Sequence, residues 1–131
     1  MEFEVPLAWN GRQIFLRFDG VKSAYYCWLN GVLVGYSQDS MSATEFDITP
    51  LAIKGGKNLL AVEVFRWSDG SYLERQDFWD ISGIYRDVTL FSTPKMHLRD
   101  IQINTSLDAT LTTGIVTTFP FSSPRVSNRN E

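Results

Sequence analysis

Residues 24–36, AYYCWLNGVLVGY, contain two short runs of aromatic and β-branched residues on either side of an Asn-Gly pair. Both central positions of a two-residue type I′ turn need a positive φ, which asparagine and glycine adopt at low cost. Aromatic and β-branched side chains fit the pleated surface of a strand. The stretch therefore predicts a β-hairpin that turns at Asn30-Gly31.

A hydrophobic period of two recurs along most of the chain, with turn residues between the runs. Asp19-Gly20 follows the first run, Thr49-Pro50 ends a middle one, and Gly55-Gly56 precedes the longest. The predicted strands are residues 14–18, 24–29, 32–36, 45–48, 59–67, 84–92, 96–103 and 109–118. No stretch has the period of a long amphipathic helix. This pattern is typical of an all-β protein built as an antiparallel β-sandwich.

Length and charge exclude several classes of protein. The 131 residues suit one domain of ordinary size and are too few for a (β/α)₈ catalytic barrel, which needs ~250. The net charge of −3 and the lack of a basic stripe argue against a nucleic-acid partner. No apolar run approaches the ~20 residues of a membrane-spanning helix, and residues 1–12 do not resemble a signal peptide. Whether the protein is cytoplasmic or periplasmic is left open.

The single cysteine and the single histidine leave little room for disulfide or metal chemistry. Cys27 cannot form an internal disulfide, and its apolar neighbours predict a buried, unreactive thiol. His97 stands at the start of a predicted strand, and we interpret it as a surface residue. One histidine also excludes a His-rich metal site.

The segment from Ser68 to Gly83, SDGSYLERQDFWDISG, is longer than an ordinary connection between strands, which has ~4–6 residues. It contains several charged residues beside aromatic ones, namely Asp69, Glu74, Arg75, Asp77 and Asp80 with Tyr72, Phe78 and Trp79. A sugar site needs this combination, because a ring packs against the C–H face of a pyranose while a carboxylate accepts hydrogen bonds from hydroxyls. The alternative, which composition alone favours, is a charged turn whose aromatic residues anchor it in the core.

Glu74 and Asp77 are the two acids that could be suspected of forming a glycosidase acid and nucleophile. Retaining enzymes hold two such carboxyl groups ~5–5.5 Å apart, with the anomeric carbon between them. Acids so close together on one loop rarely face each other across a sugar ring, and the rest of the chain is too short to build a cleft. We therefore predict that the chain contains no catalytic residue.

Several uncommon runs occur in an order that resembles a known family. They are NGVLVGYSQDS at 30–40, EFDI at 45–48, RWSDGSYLE at 66–74, QDFW at 76–79 and SGIYRDV at 82–88. Over about residues 3–93, the chain resembles the N-terminal sugar-binding domain of the glycoside hydrolase family 2 β-galactosidases. The GYSQDS and DGSYLE runs resemble the β-galactosidase branch more than the β-glucuronidase or β-mannosidase branches.

The resemblance implies a jelly-roll sandwich of the galactose-binding-domain type, with a long loop that reaches the active site of a catalytic barrel. By its place in the QDFW run, Asp77 corresponds to the aspartate that binds the galactosyl 6-hydroxyl and ligates sodium. A carboxylate can serve both a hydroxyl and a hard cation. The parent enzymes also use magnesium, and their two catalytic glutamates, which lie in the barrel, have no counterpart here.

Several positions differ from the family pattern, and these differences determine the expected domain organisation. Family members begin this domain before Phe3, so the sandwich is expected to be incomplete. Arg75 and Asp80 stand where the family commonly has an acid and an arginine, an exchange of sign that would still let them pair. The expected segments are a truncated sugar-binding domain at 1–93, the first strands of an immunoglobulin-like domain at 94–119, and a mobile tail at 120–131.

The sequence thus predicts a carbohydrate-binding, non-catalytic part of an enzyme that hydrolyses terminal β-galactosides, inactive on its own. Asp69, Asp77 and Trp79 are the expected sugar contacts, and Asp77 the sodium ligand. The expected partners are a β-galactoside, the rest of the parent enzyme and, because an incomplete sandwich exposes strand edges, further copies of the chain in a homo-oligomer. Neither nucleic acid nor membrane is expected.

Two other functions stay open. The first is an autonomous, lectin-like carbohydrate-binding module. The second is a structural or subunit-contact domain of a β-glucuronidase- or β-mannosidase-type enzyme.

Overall fold

The computed structural model of the chain describes residues 1–74, 79 and 81–123. The chain divides into two compact units, Met1–Ser92 and Thr93–Glu131. The strands are β1 (Glu2–Glu4), β2 (Gln13–Phe18), β3 (Val21–Lys22), β4 (Ala24–Leu29), β5 (Val32–Ser37), β6 (Thr44–Asp47), β7 (Lys57–Phe65), β8 (Gly83–Ile84), β9 (Val88–Thr93), β10 (His97–Leu107) and β11 (Gly114–Ser123). A 3-10 turn (Leu7–Trp9) and helix α1 (Gly70–Leu73) are the helical elements of the described residues.

The first unit is a sandwich of two main sheets. One sheet has the strand order β1-β7-β4-β5 and the other the order β6-β2-β9, while β3 and β8 form a separate ladder. The pairs with a described register run antiparallel. One buried cluster takes its side chains from both sheets, including Leu16 and Phe18 of β2 and Tyr25 and Leu29 of β4. The predicted all-β, antiparallel β-sandwich is confirmed.

Burial alternates along β4, as its period of two predicts. Tyr25, Cys27 and Leu29 are buried, whereas Tyr26 and Trp28 are half-buried on the outer face of the sheet. Complete burial of an aliphatic side chain such as Leu29 stabilises the fold by about 1.5–3 kcal/mol. Burial also raises the pKa of the Cys27 thiol to about 11. The structure confirms the prediction that Cys27 is buried. The raised pKa keeps the thiol protonated at neutral pH.

The predicted hairpin joins β4 to β5. Leu29 pairs with Val32, so the loop contains two residues. Asn30 has a φ of 53° and Gly31 a φ of 82°, the positive values that a type I′ turn requires. The turn prediction is therefore confirmed in both position and length.

The Asn30 side chain also ties this turn to β7 and to the loop before it. Its Nδ2 donates to the carbonyl oxygen of Leu51 and to Oδ1 of Asn58, both at 3.0 Å. Its Oδ1 accepts from the Leu59 N–H at 2.9 Å. Glycine could supply the backbone conformation of residue 30 but none of these bonds, so asparagine serves two purposes at this position.

Asn58, the partner of Asn30, is only 1% exposed. Its Nδ2 donates to the carbonyl oxygens of Ile53 at 2.9 Å and Gly56 at 3.2 Å, and its Oδ1 accepts from the Ile53 N–H at 2.8 Å. With the bond from Asn30, the amide uses two donors and two acceptor positions, the full capacity of the group. The buried amide therefore closes the 53–58 turn and fixes the start of β7.

The second unit contains a long hairpin of β10 and β11, which we describe by itself. Asp108 organises its turn: the bond from the Thr110 hydroxyl, together with the N–H groups of Thr112 and Thr113, lowers the pKa of Asp108 to about 2. β11 continues through Ser123, whereas the composition of residues 120–131 predicts a tail that begins at residue 120.

Pro120 explains why the sequence misleads at the end of β11. It lies opposite Ile101, within the ladder, although proline has no N–H to donate. A hairpin has a free edge on each strand, where such a residue is tolerated. The rest of the expected tail lies outside the described residues, and the assignment of the two units to sugar-binding and immunoglobulin-like domains stays a prediction.

The elements that the sequence does not predict are short. β1, β3, β8, α1 and the 3-10 turn each span two to four residues, too few for a period to be recognised. β7 ends at Phe65 rather than at Trp67, because its partner β4 begins at Ala24, directly opposite Phe65. β10 is longer than predicted, whereas β11 has the predicted length but begins five residues later, at Gly114, because its backbone pairs with β10 from Leu107 to His97.

Replacing Asn58 with alanine should lower the free energy of unfolding by about 2–4 kcal/mol, because Ile53 and Gly56 lose buried hydrogen-bond partners. Urea denaturation followed by tryptophan fluorescence measures the change. Asn10→Ala is the control, since Asn10 is exposed and should change stability by less than about 0.5 kcal/mol. A loss in Asn58→Ala no larger than in the control would contradict the role of the buried amide.

Candidate functional site

The first part of the long segment, residues 68–74, is a compact helical turn. Asp69 precedes α1, and its Oδ1 accepts from the Gly70 N–H at 3.0 Å. The Ser71 hydroxyl accepts from the Ser68 N–H at 3.0 Å. Aspartate and serine commonly satisfy the N–H groups that a helix start leaves without a partner. The run SDGS therefore explains why the chain turns here instead of extending β7.

The connection after β5 holds the start of this turn. The Tyr36 hydroxyl donates to Oε1 of Gln38 at 2.7 Å, and Nε2 of Gln38 donates to Oδ1 of Asp69. Partial burial, and then the nearby Asp69 carboxylate, raise the pKa of Tyr36. The tyrosine therefore stays protonated and remains a donor at neutral pH.

The same connection holds the end of the turn. The N–H of the buried Ser40 donates to Oε2 of Glu74 at 3.4 Å. The hydroxyl of Tyr85, which follows β8, donates to the Ser40 carbonyl oxygen. Three runs that are distant in sequence, GYSQDS, DGSYLE and IYRD, thus meet at α1. Oε2 of Glu74 is engaged in this contact, and the prediction that Glu74 is not catalytic stays a prediction.

A second support lies where β3 meets β4. The Ser23 and Ser68 hydroxyls are 2.6 Å apart, and Nζ of Lys22 donates to the carbonyl oxygen of Trp79 at 3.3 Å. The Trp79 side chain is 79% exposed and that of Tyr72 80%. These two rings do not anchor the segment in the core, contrary to the interpretation that composition favours. Both are exposed to solvent in the described structure.

The candidate residues from the sequence divide into two groups. Asp69 and Trp79 are described, and both lie on the segment held by these contacts. Asp77 lies outside the described residues, as do Arg75 and Asp80, so their expected roles stay predictions. One oxygen of Asp69 accepts both described bonds, and no bond to Oδ2 is seen within the described part of the chain. Oδ2 is therefore the oxygen of Asp69 that the described residues leave available.

Sequence reasoning missed the residues that support the segment: Lys22, Ser23, Gln38, Ser40 and Tyr85. Gln38 and Ser40 belong to a run that was recognised as unusual, but their partners are 31 and 34 residues away. No local pattern indicates such a pairing. The register of β5, which the two-residue turn and the shift between Cys27 and Trp28 determine, brings Gln38 and Ser40 to α1.

The first unit also has an open depression of about 500 Å³, which is lined by Arg17, Asp19, Ala43, Arg86 and Asp87. Arg17 pairs with Asp19 at 2.6 Å, and the Arg86 guanidinium lies 5.3 Å from the centre of the Tyr85 ring. The arginines are thus engaged by neighbouring groups. We assign no ligand to this depression.

Neither a metal cluster nor a membrane helix is found in the part of the chain that the structure describes. Within residues 1–74, 79 and 81–123, no three His, Cys, Asp or Glu side chains come together as a metal site would require. No helix in these ranges is long and apolar enough to cross a membrane. The sodium site expected at Asp77 falls outside these ranges.

Comparison of the sequence with known proteins finds relatives that are described as β-galactosidases. The β-galactosidase of Priestia megaterium is 53% identical over 100 residues, 76% of this chain and 10% of the relative. The β-galactosidase of Halalkalibacterium halodurans is 48% identical over 88% of this chain and 11% of the relative. That of Yersinia enterocolitica is 62% identical over 69% of this chain and 8% of the relative. The chain thus spans about a tenth of the length of the curated relatives it matches.

Solved structures share the fold. A β-glucuronidase from an uncultured Clostridium species superposes with a TM-score of 0.75 and 27% identity, over 95% of this chain and 23% of that one. The β-D-glucuronidase of Dictyoglomus thermophilum gives a TM-score of 0.74 at 23% identity, over 93% of this chain and 24% of that one.

The family model described as "Glycosyl hydrolases family 2, sugar binding domain" matches residues 1–94, almost three quarters of the chain. The first unit of the structure lies within this match and has the antiparallel sandwich that the resemblance implied. The chain belongs to the sugar-binding domain family of the family 2 glycosyl hydrolases.

Proposed function

We propose that the chain is the non-catalytic, carbohydrate-binding domain of a β-galactosidase that hydrolyses terminal β-galactosides. The observation that carries this proposal is the held segment, which presents the available oxygen of Asp69 and the exposed ring of Trp79. The β-galactosidase relatives, at 48–62% identity, favour galactosides over the glucuronides named for the solved structures.

Asp69, Trp79 and Asp77 are the proposed sugar contacts. The Trp79 ring packs against the C–H face of the pyranose, and the carboxylates accept from its hydroxyls. Hydrogen bonds of this kind largely replace bonds to water, so a loop without the opposite wall of a cleft binds sugar weakly. The rest of the parent enzyme is therefore the proposed second wall and the source of the catalytic carboxylates.

Sodium is the proposed cation of the assembled site, with Asp77 as one ligand. A hard cation needs several oxygen ligands, and the described residues do not bring three acidic groups together. The rest of the parent enzyme is therefore the proposed source of further ligands for sodium, and of the site for any magnesium. The chain by itself is not expected to hold either ion.

An autonomous lectin-like module is the second candidate function. Its support is the exposure of Trp67, Tyr72 and Trp79, three aromatic side chains that are 61%, 80% and 79% exposed within or beside the segment. A module of this kind would bind sugar tightly without another domain. A structural role in a β-glucuronidase- or β-mannosidase-type enzyme is the third, supported by the shared fold.

The purified chain should not hydrolyse a nitrophenyl β-galactoside, because the acid and the nucleophile that face each other in such enzymes are proposed to lie in the rest of the parent enzyme. The enzyme encoded by the whole reading frame should hydrolyse it, and Asp77→Ala should lower its kcat/KM at least about tenfold through the loss of a charged hydrogen-bond acceptor. Tyr72→Ala, at an exposed position outside the proposed contacts, is the control.

Two outcomes would contradict this assignment. Activity of the purified chain that survives repurification and disappears in Glu74→Gln would make the chain itself catalytic. A full-length enzyme that cleaves a β-glucuronide but no β-galactoside would favour the third candidate function.

We also propose that the chain forms a homo-oligomer through the β10–β11 hairpin. Ile101, Ile103 and Leu107 lie on one face of β10, with 48%, 62% and 59% exposure, and Val116 extends that face on β11. A two-stranded hairpin is marginally stable unless another surface covers such a face. A second copy of the hairpin offers the same apolar face.

Light scattering during size-exclusion chromatography should therefore give the mass of a dimer. Ile103→Glu should give the mass of a monomer, because a charge enters the apolar face. Asn104→Glu, which places the same charge on the opposite face, is the control. A monomeric wild-type chain at high concentration, with rapid amide exchange across residues 97–107, would refute the proposal.

A further inference from the structure

The side chain of Gln38 joins a tyrosine to the candidate sugar-binding carboxylate. Its Oε1 accepts from the Tyr36 hydroxyl at 2.7 Å. Since this end of the amide faces a donor, the Nε2 end faces Asp69 and donates to Oδ1. The direction of the amide is therefore fixed by its partners.

Two donors converge on the same oxygen of Asp69. The Gly70 N–H reaches Oδ1 from within the helical turn, and Gln38 reaches it from the connection after β5. Hydrogen bonds to an ionised acceptor are strong and directional, so together they fix the rotation of the carboxylate. Within the described residues, neither donor engages Oδ2.

The connection after β5 also holds the other end of α1. The Ser40 N–H donates to Oε2 of Glu74, and the Ser40 carbonyl oxygen accepts from the Tyr85 hydroxyl. The turn is thus supported before its first residue and after its last. Movement of Gln38 would release only the first support, while the second would keep the turn folded.

We propose that Gln38 is a positioning residue for sugar binding, which orients Asp69 so that Oδ2 accepts from a hydroxyl of a β-galactoside. This inference rests on the proposed function of the segment. Gln38 does not contact the sugar: it acts through the carboxylate. Its removal weakens substrate binding more than it slows the chemical step, because the contact with the sugar hydroxyl is present before and during the reaction.

Two substitutions separate this role from a general structural one. Gln38→Ala removes the donor. Gln38→Glu keeps the size and still accepts from Tyr36, but an ionised carboxylate cannot donate to Asp69 and repels it. Two adjacent carboxylates share a proton when the pH falls, which restores a donor between them. Gln102→Ala, at an exposed glutamine of β10, is the matched control.

The first measurement uses the 131-residue chain and follows amide exchange of Tyr72, Leu73 and Glu74 by NMR. Relative to wild type at the same pH, Gln38→Ala should exchange about tenfold faster at these positions, the change expected for loss of one charged hydrogen bond. Gln38→Glu should do the same at neutral pH and return to within about twofold of wild type near pH 4.5, where the paired carboxylates hold a proton.

The second measurement uses the enzyme encoded by the whole reading frame. Gln38→Ala should raise KM for a nitrophenyl β-galactoside about tenfold, with kcat changed less than about threefold. Gln102→Ala should leave both constants unchanged.

The outcomes distinguish this inference from the proposed function. Wild-type enzyme without β-galactosidase activity would contradict the proposed function, and the exchange measurement would still test the contact of Gln38. Exchange in Gln38→Ala equal to that in Gln102→Ala would overturn the inference. So would a KM equal to that of the control, or a Gln38→Glu variant whose exchange does not recover at low pH.

Discussion

The hydrogen bond between the side chains of Asn30 and Asn58 is the interaction on which the rest of the first unit depends. It joins a turn at one end of the β4–β5 hairpin to the buried start of β7, and both amides use further bonds to close the 51–59 region. Because Asn58 is 1% exposed, an unmatched donor or acceptor there would be costly. The hydrogen bonds of the Asn58 amide therefore fix the position of the β4–β5 turn, and with it the point at which β5 begins.

The candidate site follows from the register that begins there. The two-residue turn pairs Leu29 with Val32, and a register shift between Cys27 and Trp28 then places Tyr36 opposite Tyr26, with their rings 4.8 Å apart on the outer face of the sheet. Two residues later the chain presents Gln38 to Asp69, and Ser40 then reaches Glu74. A change of register by one residue would reverse the side chains and separate these pairs. Core structure and site geometry are linked by this one strand.

The sequence predicts those parts of the molecule that depend on neighbouring residues. Asn30-Gly31 predicts its turn because the conformation is local, and the alternation around Cys27 predicts which side of β4 is buried. The contacts of Gln38 and Ser40 could not be predicted, since they join residues 31 and 34 positions apart. Composition even favoured core positions for the aromatic residues of the segment, but the short turn at Asp69 keeps Tyr72 in solvent. The roles of Asp77 and sodium still rest on resemblance.

The most direct test of the account is the chemical-shift response of the ¹⁵N-labelled chain to a methyl β-galactoside. Each of the four tryptophans carries one indole N–H, whose signal reports on the surroundings of that side chain. Our account predicts that the Trp79 indole and the amides next to Asp69 shift, with a dissociation constant weaker than ~1 mM, while Trp9 and Trp28 do not respond. Shifts confined to Trp9 or Trp28, or micromolar binding by the isolated chain, would contradict it.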